Sequence, residues 1–281
     1  MKEKIQNQNG IIQILLLIGI IVASVILGAV IGYKMIPLSN ITTQFTTTTI
    51  ATTITTQPTV TTDWSCGDSV TFTYKGDLVT YGTVESQGRC WLDRNLGASR
   101  IAITYNDFEA QGDLFQWGRG DDGHQDPNSG RTTNVSNLDE PGHSDFIYNF
   151  EIYHSDYEDP IQVKNADWRS PQNNNLWQGK GGINNPCPLG WHVPTKTEWE
   201  NEVASWIYQN KTGGFASPLK LPSVGFRGYF RSGLAQMMYY GAYWSQTVCD
   251  KKAYMLLSLS DRNEFQCFPR CWGFAIRCIK D

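Results

Sequence analysis

Between Ile11 and Gly32 the chain runs for twenty-two residues, IIQILLLIGIIVASVILGAVIG, without a charge, and Gln13 is its one strongly polar side chain. At about 1.5 Å of rise per residue, a helix of this length crosses a hydrocarbon layer roughly 30 Å thick. A cleaved signal peptide has a shorter apolar run and a small-residue cleavage site ahead of polar sequence. The segment therefore predicts a single-pass signal-anchor over 11–33, with residues 1–10 on the cytoplasmic side. Lys2 and Lys4 precede it, partly offset by Glu3, and Lys34 follows it. That is a slight positive-inside bias, so the orientation rests on what comes next. Gly19, Ala23, Ser24, Gly28 and Gly32 form a small-residue stripe of a kind common in membrane helices. Any core that folds in water has to come from the rest of the chain.

It does not come from the next thirty residues. Thirteen of the twenty-one residues from Thr42 to Thr62 are threonine, and none is charged. Such a tract has too little apolar surface to offset its ordering entropy. Residues 34–63 are expected to be a disordered, glycosylated stalk. The triplets at Asn40, Asn134 and Asn210 have the form of N-glycan acceptors.

All seven cysteines lie beyond the stalk, at positions 66, 90, 187, 249, 267, 271 and 278. Behind an anchor and a stalk, that distribution indicates an oxidising compartment and disulfides. Zinc is not indicated, because Cys267 and Cys271 are the one close pair and no histidine cluster accompanies them. The odd count leaves at least one thiol outside any internal pairing. A net charge of −4 without a basic stripe argues against nucleic acid as a partner. No phosphate-cradling glycine loop is present.

Residues 64–281 read as one α+β domain with short strands, few helices and long loops. Ser69–Tyr74 and Leu78–Val84 flank the turn KGD and predict a hairpin. In TKTEWENEVASWIYQN, Thr195 and Glu198 form a capping box, and Trp199, Val203, Trp206 and Ile207 make an apolar stripe. The GGF after Lys211 is expected to end that helix. From Gly112 to Gly190 the sequence is loop-like and rich in Gly, Asn, Asp and Pro, which requires something to pin it.

Four segments resemble the Fibrobacter succinogenes major paralogous domain. They are CGDSVTFTYKGDLVTYGTVESQGRCWLDRNLG from Cys66, GDLFQWGRGDDGHQ (Gly112–Gln125), CPLGWHVPTKTEWE (Cys187–Glu200), and GAYWSQT with the closing GFAIRCIKD. The resemblance spans 64–281 and leaves out the anchor and stalk. It implies a C-type-lectin-like fold related to the formylglycine-generating enzymes. It also implies a disulfide between Cys187 and Cys278, and a second between Cys66 and Cys90. The pairing of Cys249, Cys267 and Cys271 stays open.

The chain is also similar to the variable proteins of diversity-generating retroelements, which randomise surface positions near the C-terminus of this fold. GFRGYF, SGL, GAYWS, AYMLLS and WGFAIRC would be the fixed skeleton, with AQMMYY, VCDKK and RNEFQCFPRC between its pieces. The last of these looks aperiodic and rich in large side chains. The expected ligand-binding set is Tyr229, Phe230, Gln236, Met237, Met238, Tyr239, Tyr240, Asp250, Arg262, Phe265, Cys267, Phe268, Arg270, Cys271 and Trp272. Aromatics, Met and Arg in irregular loops are common at recognition surfaces.

Other chemistries are less well supported. No EPN- or QPD-type calcium loop is present; EPG at Glu140 and QDPN at Gln125 are the nearest strings. Asp121, Asp122 and Asp126 read as a solvated turn rather than a cation site, and Arg119-Gly120-Asp121 as part of the domain's own loop. A formylglycine-type enzyme would need Cys267 and Cys271 as working thiols, without a flanking histidine to activate them. His124, His143, His154 and His192 are scattered, so neither a metal nor a cofactor is expected. The sequence thus predicts a non-enzymatic surface protein. It would display its domain outside the cell membrane and bind a protein or cell-surface ligand. The alternatives are a pilin-like or cell-envelope subunit, for which NG before the apolar run is suggestive, and the enzyme.

Overall fold

Two residues, Lys75 and Gly76, turn the first hairpin. Both have positive φ, 52° and 83°, as a two-residue primed turn requires. Strand β1 (Val70–Tyr74) pairs antiparallel with β2 (Asp77–Tyr81) through five registered pairs, from Val70↔Tyr81 to Tyr74↔Asp77. Phe72 and Tyr81 meet edge to face at 5.2 Å on the inner side. The computed structural model describes residues 64–149, 166–228, 234–235 and 239–281. The expected signal-anchor and stalk lie outside the described residues. Among the described residues, no helix is long and apolar enough to cross a membrane.

A second two-residue turn, Gln87–Gly88, again with both φ positive, joins β3 (Thr83–Ser86) to β4 (Arg89–Leu92). Then come the very short strands β5 (Phe115–Gln116), β6 (Arg131–Thr132), β7 (Phe146–Ile147) and β8 (Trp191–His192), separated by long loops.

Helix α1 (Lys196–Ala204) begins at the capping box: the Thr195 hydroxyl accepts from the Glu198 amide while the Glu198 carboxylate accepts from the Thr195 amide. It stops earlier than its apolar stripe implies. Trp206 is still buried, but Ile207 is 88% exposed. The expectation that GGF ends a helix is also corrected, because α2 (Lys211–Ala216) runs through it, capped by the Asn210 side chain. Gly213 and Gly214 are needed for space: a β-carbon there would fall on the Tyr208 carbonyl and on the Trp206 ring.

Strands β9 (Phe226–Arg227), β10 (Leu234–Ala235), β11 (Gly241–Cys249), β12 (Lys252–Ser258), β13 (Asn263–Phe268), β14 (Gly273–Phe274) and β15 (Ile279–Lys280) complete the order. The described strands form small sheets: β10-β9-β14-β5, β11-β12-β13, β3-β4-β15-β8, and the pairs β1-β2 and β6-β7. The protein is therefore sheet-rich, mostly antiparallel, with few helices.

The closing GFAIRCI links the three larger sheets. Gly273 and Phe274 pair with β5, and Gly273 with β9; Ala275 exchanges hydrogen bonds with Ala242 and Trp244 of β11; Ile279 pairs with β4 and β8. Every residue from Cys271 to Ile279 is buried. Around this strand sit Trp91, Trp117, Trp168, Trp177, Trp191, Trp199 and Trp244, none more than 2% exposed. Most of these indoles also hold backbone. Trp244 donates to Phe115 O at 2.7 Å, Trp168 to Trp117 O at 2.7 Å, and Trp117 to Ser245 O at 2.9 Å. A buried tryptophan here fills volume and satisfies a backbone carbonyl.

Candidate functional site

Six of the seven cysteines are paired. Cys187–Cys278 and Cys66–Cys90 form disulfides, as do Cys249 and Cys267, while Cys271 is a buried free thiol. The third bridge joins the end of β11 to β13, clipping the two outer strands of the three-stranded sheet. Burial pushes the Cys271 thiol well above its ordinary range.

The sheet is fixed from both faces. On one, Tyr243 packs on Trp199 of α1 at 5.7 Å, and the Lys196 ammonium lies 5.2 Å from the Tyr254 ring and 5.3 Å from that of Phe265. On the other, Trp244 meets Phe274 at 4.6 Å and Phe268 meets it at 5.3 Å. What remains open is the outer strand and the two turns. Asp250 and Lys251 are exposed in the β11–β12 turn. Asp261 and Arg262 are exposed in the β12–β13 turn, where Arg262 ion-pairs with Asp261 at 2.9 Å and with Glu264. Asn263 to Cys267 are all half-buried.

The structure divides the expected ligand-binding set. Tyr239 is 67% exposed, Tyr240 half-buried, and Asp250 and Arg262 exposed. Phe265 is half-buried beneath Lys196, and Cys267 is committed to its disulfide. Tyr229, Phe230, Gln236, Met237 and Met238 lie outside the described residues.

Phe268, Arg270, Cys271 and Trp272 are corrected, because all four are buried. NEFQCF is not aperiodic. It is a registered strand in which Ala253↔Phe268 turns the Phe268 ring inward onto Trp272, 5.1 Å away. FPRCW is then the aromatic corner that carries the chain from β13 into β14. Arg270 lies 4.3 Å over the Trp117 ring and donates to Asn173 O, the Asn174 side chain and Lys252 O.

Sequence reasoning missed the residues that hold the loops. Arg119, Arg227, Arg270 and Arg277 are each no more than 1% exposed. Arg277 donates to Leu219 O at 2.6 Å, Asn95 Oδ1 at 3.0 Å and Leu92 O at 3.3 Å. Arg227 serves His124 O, Asp126 O, Ser129 Oγ and Ser129 O within 3.0 Å, and lies 4.3 Å over Phe146. Burial lowers both guanidiniums to about 10, helped at Arg227 by Arg131, so both stay charged at neutral pH. An arginine inside a buried apolar strand, as in FAIRC, was the readable signal.

The acidic loop keeps Asp121 exposed, as a solvated turn would, and is also internally bonded. Arg119 binds Asp122 through Nη2 at 2.6 Å and also donates to His143 O and Asp145 O. His124 sets Nδ1 2.5 Å from Asp122 and accepts the Gln116 amide at Nε2, 2.9 Å away. Burial pushes the His124 imidazole down to about 4, assisted by the Arg119 charge, so it is neutral. Burial alone would raise Asp122, but His124 and Arg119 outweigh it and bring the carboxyl to about 2. Asp126 pairs with Lys75 at 2.9 Å, and Asp121 accepts from Lys75 N and Gln125. Among the described residues no group of three acidic, cysteine or histidine side chains could hold a metal.

Beside this loop an open polar cleft of about 580 Å³ is lined by Asp121, Asp122, Asp139, Glu140, His143 and Asn184 among others. Asp122 and Asp139 are engaged there by Arg119 and Arg169. His192 is likewise structural: Asp281 lies 2.7 Å from its Nδ1 and Glu198 3.1 Å from its Nε2. Burial opposes its protonation, but those two carboxylates outweigh it and raise the imidazole. No protein family, curated protein or solved structure matches this chain.

Proposed function

We propose that residues 64–281 form a C-type-lectin-like binding module of the Fibrobacter major paralogous kind. In this reading a single-pass anchor and a threonine-rich stalk carry it on the cell surface. It recognises a protein or cell-surface ligand through the open side of the β11–β13 sheet and the adjoining Tyr239 and Tyr240. The observation that carries the reading is the division of labour in that sheet. Its strands are packed on both faces and clipped by Cys249–Cys267, while Asp250, Lys251, Asp261 and Arg262 project into solvent. Such residues can change without disturbing the core, as diversification by a retroelement requires. Exposed polar and aromatic side chains on a rigid frame also bind with little ordering cost. The Cys187–Cys278 bridge, between the segment before α1 and the buried last strand, supports the fold assignment. The formylglycine-type alternative loses support because Cys267 is bonded to Cys249 and Cys271 is buried.

Saturation libraries test the reading. The full chain, displayed on cells, is varied at Asp250, Lys251 and Arg262, or at Arg227, Arg277 and Gly273, and selected against a panel of unrelated proteins. The first library should keep most members folded and yield binders, and the second should yield almost none. Equal intolerance in both libraries would overturn the display reading. Alkaline extraction should leave the full chain in the membrane fraction, and external protease should release the folded unit. A mature N-terminus at Ile11 and assembly into filaments would favour the pilin-like alternative. A nearby reverse-transcriptase gene, with a near-copy of the 3′ end mismatched at adenines, would establish diversification.

A further inference from the structure

Among the described residues, half of the exposed large hydrophobic side chains lie on three segments that converge. Of twelve, Ile103, Tyr105 and Phe108 sit on one loop, Ile207 and Tyr208 on the turn before α2, and Tyr239 ahead of β11. Lys211 joins them. Its ammonium lies 4.9 Å from the Tyr105 ring and 3.4 Å from Tyr239 O. The Tyr105 ring meets Phe215 of α2 edge-on at 6.5 Å, and Lys220 stands 5.4 Å from the same Phe215 ring. The backbone ties the segments together: Ser223 N donates to Tyr105 O, Val224 N to Tyr240 O, and Lys211 N to Leu259 O.

The charges on this patch are uneven. Of the two carboxylates that flank Phe108, Asp107 is held by Arg100 at 2.8 Å and Glu109 accepts from the Ser99 hydroxyl at 3.0 Å. Neither Lys211 nor Lys220 makes an ion pair among the described residues. A ring face stabilises an ammonium without neutralising it, so both charges stay available to a carboxylate. Apolar anchors beside uncompensated cations are complementary to apolar anchors beside anions. A two-fold self-contact would instead set this cation-bearing patch against a second copy of itself.

We propose that Tyr105, Phe108, Lys211, Phe215, Lys220 and Tyr239 dock a carboxylate-bearing segment of a protein partner. The recognition surface thereby extends from the loop ahead of β11 across α2. This rests on the display reading, because Tyr239 belongs to both surfaces, yet the two fail separately.

The probe is a short peptide alternating glutamate and tyrosine, compared with its glutamine–tyrosine and lysine–tyrosine counterparts. The full chain is held in phosphatidylcholine nanodiscs, and Kd is read by interferometry. The glutamate peptide should bind at least about tenfold tighter than the glutamine one, and less so as salt rises. The double variant Lys211→Glu, Lys220→Glu should shift preference to the lysine peptide without lowering the unfolding midpoint. Equal binding of the glutamate and glutamine peptides overturns the proposal. So does binding confined to phosphatidylserine vesicles, or self-association abolished by the double variant. If the turn libraries are intolerant while the glutamate preference persists, the display reading fails and the patch stands. If the libraries are tolerant and no glutamate preference is seen, the patch fails and the display reading stands.

Discussion

The loops between Gly112 and Gly190 and the β11–β13 sheet solve the same problem by different means. In the sheet, strands of nine, seven and six residues satisfy one another's backbone groups through registered ladders. Among the described residues of the loops no strand exceeds two residues. There many of the partners are side chains. Gln116 Nε2 donates to Ile147 O and Cys271 O while its Oε1 accepts from Ile147 N, and Gln246 bridges Val193 O and Gly179 N. A ladder spreads its bonds over many residues, so no single side chain is decisive. A pinned loop concentrates them on a few buried arginines and glutamines. The loops should therefore be brittle to substitution and the sheet tolerant, although the loops look like the more permissive sequence.

Arg227→Met tests this most sharply. It removes the donor to Asp126 O and Ser129 O and leaves His124 O with only the Ser129 hydroxyl, around a guanidinium that is itself buried. The expected loss is about 4 kcal/mol, the scale of breaking a buried charged network. Urea unfolding would measure it, and hydrogen exchange should show residues 123–130 opening first. Arg227→Lys should not rescue, because an ammonium cannot span acceptors arranged for a planar fork. The sheet's counterpart is the double change Cys249→Ser, Cys267→Ser. Opening a loop with a separation of 18 residues should cost about 3 kcal/mol on the chain-entropy estimate. Amides at 253–257 should nonetheless keep their protection, because the ladder survives. Protection lost there as readily as at 123–130 would erase the distinction between the regions.

The sequence made elements legible where a local period or cap specified them. The first hairpin and the capping box of Thr195 and Glu198 are examples. The Cys187–Cys278 pairing followed from resemblance rather than from spacing. FPRCW was misread because large aromatics beside a proline look the same in a surface loop and in a core corner. Only the register of β13 decides which way Phe268 points. The pins were illegible for a different reason. Arg119 and Arg227 act on carbonyls 24 to 103 positions away, and carbonyls leave no mark in a sequence.

Acid should separate the two regions next. His124, at about 4 in the folded chain, lies below its ordinary 6.5. The unfolded chain thus takes up a proton first as pH falls, and stability present above about 6.5 is lost progressively down to about 4, by about 3 kcal/mol. Asp122, at about 2, extends the loss below 3.8. His192 works in the opposite sense. Its raised value gives stability that is full below 6.5 and lost as pH rises through the folded value. Urea midpoints between pH 4 and 7 should fall on the acid side, with exchange increasing at 116–130 and not along β12. His124→Gln should lower stability at pH 7 but flatten the slope. An unchanged slope would mean that the loop's acid sensitivity lies elsewhere.

The smallest effects should come from the sheet's turns, and they are not alike. Arg262 is exposed and pairs with Asp261 and Glu264, and exposed pairs contribute little. Arg262→Val should leave the unfolding midpoint where it was. Asp250 is as exposed but sits at φ 51°, a left-handed conformation that Asp, Asn and Gly accept and β-branched residues resist. Asp250→Asn and Asp250→Gly should be neutral, and Asp250→Val should cost about 1 kcal/mol, read as a small drop in thermal midpoint. Two positions equally open to a ligand would then differ in how freely they can vary. Tolerance in this sheet would be set by backbone conformation as well as by exposure. Equal tolerance of valine at both positions would show instead that the ladder lets the turn relax.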